Sequence, residues 1–267
     1  LKVVLRLTEQ GYTAYLVGGC VRDLLLGLKP KDFDVATNAT PQQVHKVFRN
    51  SRIIGRRFQI VHVRFGREII EVSTFRAQHN QQKSTDAGHV LDDNVFGSFE
   101  SDAFRRDFTV NALYYCATDE RVLDPTDQGL DDLTNKQLRL IGDPTTRFKE
   151  DPVRMLRAIR FKSKLKFDLS PILEQKIIDL AHLLGEIPPA RLFEETLKLF
   201  MAGFAQSTYL ALSQYQISGI LFPTMAEEGR AEALIQLALK STDDRIAIGS
   251  PVTPAFIFAA LLWAPFE

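Results

Sequence analysis

The stretch Leu16–Thr37, LVGGCVRDLLLGLKPKDFDVAT, constrains the fold more than any other part of this chain. An apolar run, Ala14–Val17, breaks at Gly18-Gly19, restarts as a short helical pattern over 21–26 and stops at Gly27. A second strand is predicted to carry Asp32 and Asp34. Side chains alternate along a strand, so the two carboxylates share one face while Phe33 and Val35 bury on the other. Neighbouring carboxylates repel each other, and a cation between them relieves the repulsion. A Gly-Gly turn at a helix start presents backbone N–H groups and the positive helix end, which suits phosphate. Each feature also has a plain reading: a tight turn, and a solvated acidic pair. Their close spacing, with the basic Lys29-Pro30-Lys31 turn between them, points to metal-assisted phosphoryl or nucleotidyl transfer.

At 267 residues the chain is long enough for a sizeable core and for two domains. Lys+Arg and Asp+Glu number 33 each, so the formal net charge is zero. A uniformly basic nucleic-acid binder is thereby excluded. A polynucleotide partner must meet local basic patches, or a basic segment outside this sequence. Cys20 and Cys116 lie far apart with no CxxC spacing, which argues against a disulfide framework or a zinc site and fits a reducing cytoplasm. The chain opens on Leu1 rather than Met, so residues are expected to precede it. The apolar run AFIFAALLWAPF (255–266) is too short to span a bilayer and ends in proline, so a buried helix is expected and membrane insertion is not.

Along the chain, a short helix over 1–10 leads into a strand at 12–17. Thr40-Pro41 reads as N-cap and first residue of a helix over roughly 41–50. Strands at 58–65 and 68–75 flank Gly66-Arg67 and read as a hairpin. Residues 78–103 are polar and aperiodic, as expected of a long functional loop. A β pair follows near 112–117 and 121–124, then a turn into helix at 127–133. From Asp151 onward the pattern is helical, punctuated at Pro188-Pro189, Phe222-Pro223 and Ser250-Pro251. No internal repeat or low-complexity tract interrupts it.

Three constellations carry further chemistry. Glu71 is the candidate third carboxylate, with Ile70 and Val72 facing away from it; Glu68 is its rival. In a two-metal site the ions lie about 3.5–4 Å apart and clamp the attacking and leaving oxygens. Arg105-Arg106-Asp107 with Asn111 offers guanidinium forks to phosphate and polar groups to a ribose, or alternatively a structural salt-bridge cluster. Asp151, Arg154 and Arg157 recur at i+3 steps on one helical face. That face suits the amine-plus-acceptor edge shared by adenine and cytosine, although an ordinary capped helix with surface ion pairs explains it too.

Taken together, LVGGCVRDLLLG…KDFDVAT, RRDFTVNAL, DPTDQGLDDL, EDPVRMLRAIRF and PPARLFEETLKL occur in the order found in class II nucleotidyltransferases. This family comprises the tRNA CCA-adding enzymes and the bacterial poly(A) polymerases, and the resemblance covers roughly residues 10–230. It implies an α+β fold: a nucleotidyltransferase head with a small mixed sheet over 1–125, a helical neck over 126–185 and a helical body over 186–267. By the same resemblance Asp32 and Asp34 are the metal-binding carboxylates, with Glu71 the third. Gly18, Gly19 and Arg22 belong to the triphosphate and metal site, and Arg106, Asp107 and Asn111 to the ribose and phosphate motif. Asp151 and Arg154 read the base with Arg157 beside them, while Arg191 and Glu194 brace the base-reading helix. The implied cofactor is Mg²⁺, as two ions, or Mn²⁺ in its place. The implied substrates are ATP and single-stranded RNA 3′ ends.

Within the family, Ile53-Ile54-Gly55-Arg56-Arg57-Phe58 and PPARLFEE resemble the poly(A) polymerase branch, with CCA addition the alternative. A non-catalytic RNA-binding relative is the reading of another class, and the intact Asp32, Asp34 and base-reading residues count against it. Cys20 stands where the family usually has a very small residue. Family polymerases continue beyond the body into a basic tail, so such a segment is expected downstream of this sequence.

Overall fold

In the computed structural model, which describes residues 1–55, 59–66, 68–77, 96–222 and 229–263, the chain divides into two units, Leu1–Asn135 and Lys136–Glu267. The first opens with α1 (Lys2–Glu9), whose Val3, Val4 and Leu7 are buried, and β1 (Ala14–Val17). β1 ends because Gly18 takes φ +76°, a backbone state that L side chains rarely adopt, and the chain turns directly into α2 (Gly19–Leu25). The helix therefore starts two residues earlier than its apolar pattern predicts. β2 (Asp34–Thr37) is followed by α3 (Pro41–Val47), where Thr40 and Gln43 form a reciprocal capping box with Pro41 in the first turn. β3 (Ser51–Ile54), β4 (Ile60–Phe65) and β5 (Glu68–Thr74) come next, β4 and β5 as the expected hairpin.

Part of the predicted 78–103 loop is ordered: α4 (Phe99–Phe104) is capped by Ser98, and Arg76 bridges to Phe96. Residues 78–95 of that loop lie outside the described residues. A 3₁₀ turn at Thr109–Asn111 leads to the antiparallel pair β6 (Tyr114–Cys116) and β7 (Arg121–Leu123), and α5 (Gly129–Thr134) closes the unit.

Among the described residues these strands form one mixed sheet in the order β3-β4-β5-β2-β1-β6-β7. Only β2 and β5 run parallel. One face of the β4-β5-β2 portion is apolar: Val61, Val72 and Val35 lie in register, each 1% exposed. The row one residue before it is Arg52, His62, Glu71 and Asp34, on the opposite face. Asp32 is a correction to the sequence reading. The strand begins at Asp34, not before it, because its partner β1 has no residue beyond Val17 to pair with. Phe33 is accordingly only half-buried.

The second unit begins with β8 (Gln137–Leu138), then α6 (Pro144–Glu150), α7 (Val153–Leu165) and β9 (Asp168–Leu169), which pairs parallel to β8. Helix thus starts before Asp151, and a short strand pair precedes and follows α7. The unit continues as α8 (Pro171–Leu180), α9 (Pro189–Phe200), α10 (Ala205–Gln214), α11 (Ser218–Leu221), α12 (Gly229–Ala247) and α13 (Pro254–Leu261). Prolines stand at the start of α8, α9 and α13, where a missing N–H costs nothing. The expectation of a buried terminal helix holds for one face only: Ile257, Ala260 and Leu261 of α13 are buried, whereas Phe256 is exposed. No helix among the described residues is long and apolar enough to cross a membrane.

Candidate active site

Glycine and strand register together place the first unit's acidic groups. Asp34 is the first residue of β2, cross-paired with Val17 of β1 on one side and Glu71 of β5 on the other. Glu68, the rival third carboxylate, pairs with Phe65 at the far end of β5 and has no β2 neighbour. Asp32 is exposed, two residues ahead on the incoming chain. Burial pushes the Asp34 carboxyl up from its ordinary range; the charges of Glu71 and Asp32 push the same way, and Arg106 opposes them. The Asp32 and Asp34 carboxylates have no hydrogen bond or ion pair from the described residues. Glu71 instead meets His62, with Nε2 to Oε1 at 3.3 Å. No group of three or more His, Cys, Asp or Glu among the described residues is arranged to share one ion.

The donor set of Asp32 and Asp34 fits a hard divalent cation. Their oxygens are bare, Arg106 only partly offsets the repulsion on Asp34, and Mg²⁺ needs only one or two carboxylates beside substrate phosphate and water. Mn²⁺ accepts the same oxygen donors.

Behind this pair the Gly18-Gly19 turn rests on a buried polar network. Gly18 N–H donates to Leu113 O at 3.0 Å. A Cβ at Gly18 would stand 3.3 Å from Arg106 Nη1, so glycine serves both the dihedral and the close approach. Arg22, on α2, is buried; its Nε and Nη2 donate to Asp23 Oδ1 at 2.8 and 2.6 Å, and its Nη1 donates to Asn111 Oδ1. Asn111 Nδ2 in turn donates to Asp107 Oδ1 at 3.1 Å. Arg106 donates through Nη2 to Asp102 Oδ2 at 3.0 Å and through Nε to Tyr114 Oη at 3.0 Å, with its guanidinium over the Tyr114 ring. The Tyr114 hydroxyl donates to the same Asp102 oxygen at 2.7 Å. Two hydrogen-bonded networks, one through Arg22, Asn111 and Asp107 and one through Arg106, thus both approach the Gly18-Gly19 turn.

The DPTDQGLDDL turn holds the Thr109–Asn111 segment from behind. Asp124 accepts from Thr126 N and Oγ1 and from Leu130 N, and Asp132 accepts from Thr109 Oγ1 at 2.7 Å. A Cβ at Gly129 would lie 2.7 Å from Thr109 O.

The base-reading candidates belong to the second unit. Asp151 precedes α7 and accepts the Val153 N–H at 3.2 Å, so it caps the helix although Pro152 is the residue before its first turn. Arg191 Nη2 donates to both Asp151 oxygens at 2.9 Å. Arg154 Nη1 donates to Arg147 O at 2.6 Å and pairs with Glu150 at 2.9 Å. Arg157 lies one turn on, with its guanidinium over the Phe161 ring. Glu194 is exposed and its carboxylate has no partner among the described residues.

Sequence reasoning missed Asp23, Asp102, Tyr114 and His62. Asp23 was visible as an acid inside an apolar helix, and buried acids need partners. Asp102 was hidden in a stretch read as loop. The Arg56-Arg57-Phe58 segment that separates the two branches lies outside the described residues.

Residues 14–139 match the family described as "Poly A polymerase head domain", and residues 166–228 match "Probable RNA and SrmB- binding site of polymerase A". Poly(A) polymerase I of Haemophilus influenzae is 54% identical over 280 residues, covering 100% of this chain and 62% of that protein. The chain thus spans about three fifths of the length of the curated poly(A) polymerases that it matches. A CCA-adding enzyme of Lactobacillus gasseri is 38% identical over 209 residues, covering 78% of this chain and 51% of that enzyme. Among solved structures, a tRNA nucleotidyltransferase complexed with a primer tRNA and an incoming ATP analogue superposes with a TM-score of 0.78 at 25% identity, covering 99% of this chain and 76% of that one. On the head-domain match, the 54% identity to a poly(A) polymerase I over the whole chain and the superposition on a tRNA nucleotidyltransferase, this chain belongs to the class II nucleotidyltransferase family of poly(A) polymerases and CCA-adding enzymes.

Proposed function

We propose that this chain carries the catalytic part of a template-independent RNA 3′-end adenylyltransferase, a poly(A) polymerase of the cytoplasm. The reaction joins a primer 3′-oxygen to the α-phosphorus of ATP, breaks the α–β phosphoanhydride bond and releases pyrophosphate. The observation that carries the chemistry is the unpartnered Asp32–Asp34 pair beside the Gly18 turn. The branch rests on identity: 54% to a poly(A) polymerase I across the whole chain, against 38% to a CCA-adding enzyme over part of it.

Asp32 and Asp34 hold Mg²⁺, with Glu71 as the third acid of a two-ion site. When bound, the metal activates the 3′-hydroxyl and offsets charge on the triphosphate. Gly18 sets the turn, and the Gly19 amide and Arg106 face phosphate, where fixed donors need no reorganisation as charge shifts. Arg22 and Asp107 hold Asn111 from either side, which fixes its amide for a ribose hydroxyl. Asp151 accepts from the exocyclic amine of the base and Arg154 donates to the ring nitrogen, with Arg157 beside them. Arg191 sets the Asp151 carboxylate for that task. Residues 126–185 act as a neck and 186–267 as a body on the RNA side.

CCA addition is the second reading, favoured by the tRNA-bound structural relative. The test gives the purified chain an unstructured RNA with ATP or CTP and Mg²⁺, and a tRNA lacking CCA in parallel. Long A-tails on the plain RNA, absent from an Asp32→Ala/Asp34→Ala variant, are expected. Incorporation confined to C, C and A on the tRNA overturns the branch. No incorporation with any substrate, from a folded protein, favours the non-catalytic RNA-binding relative.

A further inference from the structure

The row of residues facing away from the valine layer places His62 next to Glu71 and Glu71 next to Asp34, each pair in direct cross-strand register. Cross-paired side chains on one face stand about 4.5–5.5 Å apart at Cβ. Glu71 is half open to solvent (52%), so nothing about its burial fixes its rotamer. His62 is the neighbour that touches it, at 3.3 Å from Nε2 to Oε1. That Nε2 is fully enclosed, yet it has no aligned hydrogen bond among the described residues. A buried ring nitrogen left this way costs free energy unless it gains a partner. Glu71 Oε1 is the acceptor in reach, and polar contacts at active sites often align only when substrate arrives.

We propose that His62 is a positioning residue for the nucleotidyl-transfer site: its imidazole holds the Glu71 carboxylate in the row beside Asp34, where Glu71 works. This rests on the reading of Glu71 as a working carboxylate. His62 touches no substrate and acts through Glu71. Histidines and acids that orient metal-site carboxylates typically contribute about 10–100-fold in activity or metal affinity. The neighbour of His62 on its other side, Arg52, is on the edge strand β3, so the row runs from solvent to the acidic pair.

The experiment is a double-mutant cycle on the chain with ATP, Mg²⁺ and an RNA primer, using His62→Leu, His62→Gln, Glu71→Ala and the His62→Leu/Glu71→Ala pair. His62→Leu should lower kcat about 10–100-fold and leave the KM for ATP within about twofold. His62→Gln, which keeps a donor near the same place, should recover most of the loss. In the Glu71→Ala background His62→Leu should have no further effect. A second readout needs no catalysis: in metal-free protein, the ¹⁵N shift of the His62 ring should move on Glu71→Ala. Normal kcat in Glu71→Ala removes the reading of Glu71 and this proposal with it. A slow Glu71→Ala beside a fully active His62→Leu overturns the proposal alone. Equal, additive losses overturn it as well, because His62 then acts elsewhere. Should His62→Leu fail to fold, the ring shift and His62→Gln decide: an unmoved ring resonance overturns the proposal.

Discussion

Two charged clusters, one in each unit, are held in opposite ways. In the first, Arg22 and Asp23 have side chains only 3% and 8% exposed, and hydrogen bonds tie Arg22 on through Asn111 to Asp107. In the second, Asp151 and Arg191 pair at 26% and 47% exposure, and Glu150, which takes Arg154, is 45% exposed. Buried ion pairs are costly to break but are no great source of stability by themselves; their value lies in holding one arrangement. Exposed pairs contribute about 0–1 kcal/mol and exchange partners readily. The Arg22 cluster is therefore held in one arrangement, whereas the Asp151 and Glu150 pairs lie where solvent reaches them.

The largest effect expected is on turnover. Asp34→Ala should lower kcat by about 10³-fold or more, corresponding to ~4 kcal/mol of transition-state stabilisation, in a primer-extension assay with ATP. The same position should show the opposite sign in stability. Asp34→Asn removes a charge that burial, Glu71 and Asp32 all disfavour, so the metal-free protein should melt higher while activity is lost. A lower melting temperature for Asp34→Asn would contradict the repulsion.

Next comes the frame. Asp23→Ala strips the buried Arg22 of a carboxylate and should cost about 3–5 kcal/mol in urea unfolding of the chain. Gly129→Ala follows, at about 1–3 kcal/mol, since its Cβ would press on Thr109 O and Leu113 Cδ2. Smallest in stability is Arg191→Ala, at about 0–1 kcal/mol. Its signature should be selectivity: preference for ATP over GTP should fall, because Asp151 loses the guanidinium that aims it. If Arg191→Ala destabilises as much as Asp23→Ala, the contrast between the two clusters is wrong.

Much of this was legible before any coordinates. Thr40-Pro41 announced the start of α3, and the two strand runs on either side of Gly66-Arg67 announced the hairpin. The glycine pair and both aspartates were legible as residues, since their types and spacing are unusual. What could not be read was which of them the sheet takes up. Asp32 fell outside β2 because β1 ends at Gly18, a limit set by a strand elsewhere in the sequence. The β8-β9 pair was invisible for a like reason: two short parallel segments carry no periodicity and are joined across α7. Of the partners of Arg22 and Arg106, Asn111 and Tyr114 were out of reach because they arrive from other elements, whereas Asp23 and Asp102 lie one and four residues away in the sequence.

The parallel pairing of β2 with β5 has a consequence for how the acidic row is assembled. Every other strand contact in this sheet is antiparallel, and the β4-β5 and β6-β7 pairs form between near neighbours in sequence. β2 and β5 must instead find each other across α3, β3 and β4, and such long closures come late because their entropy is lost before contacts repay it. Asp34 and Glu71 are brought abreast only at that step. A one-residue slip there would send Glu71 to the valine face. A nascent fragment that ends before Glu71 has no partner to set abreast of Asp34, whatever else of the sheet has formed.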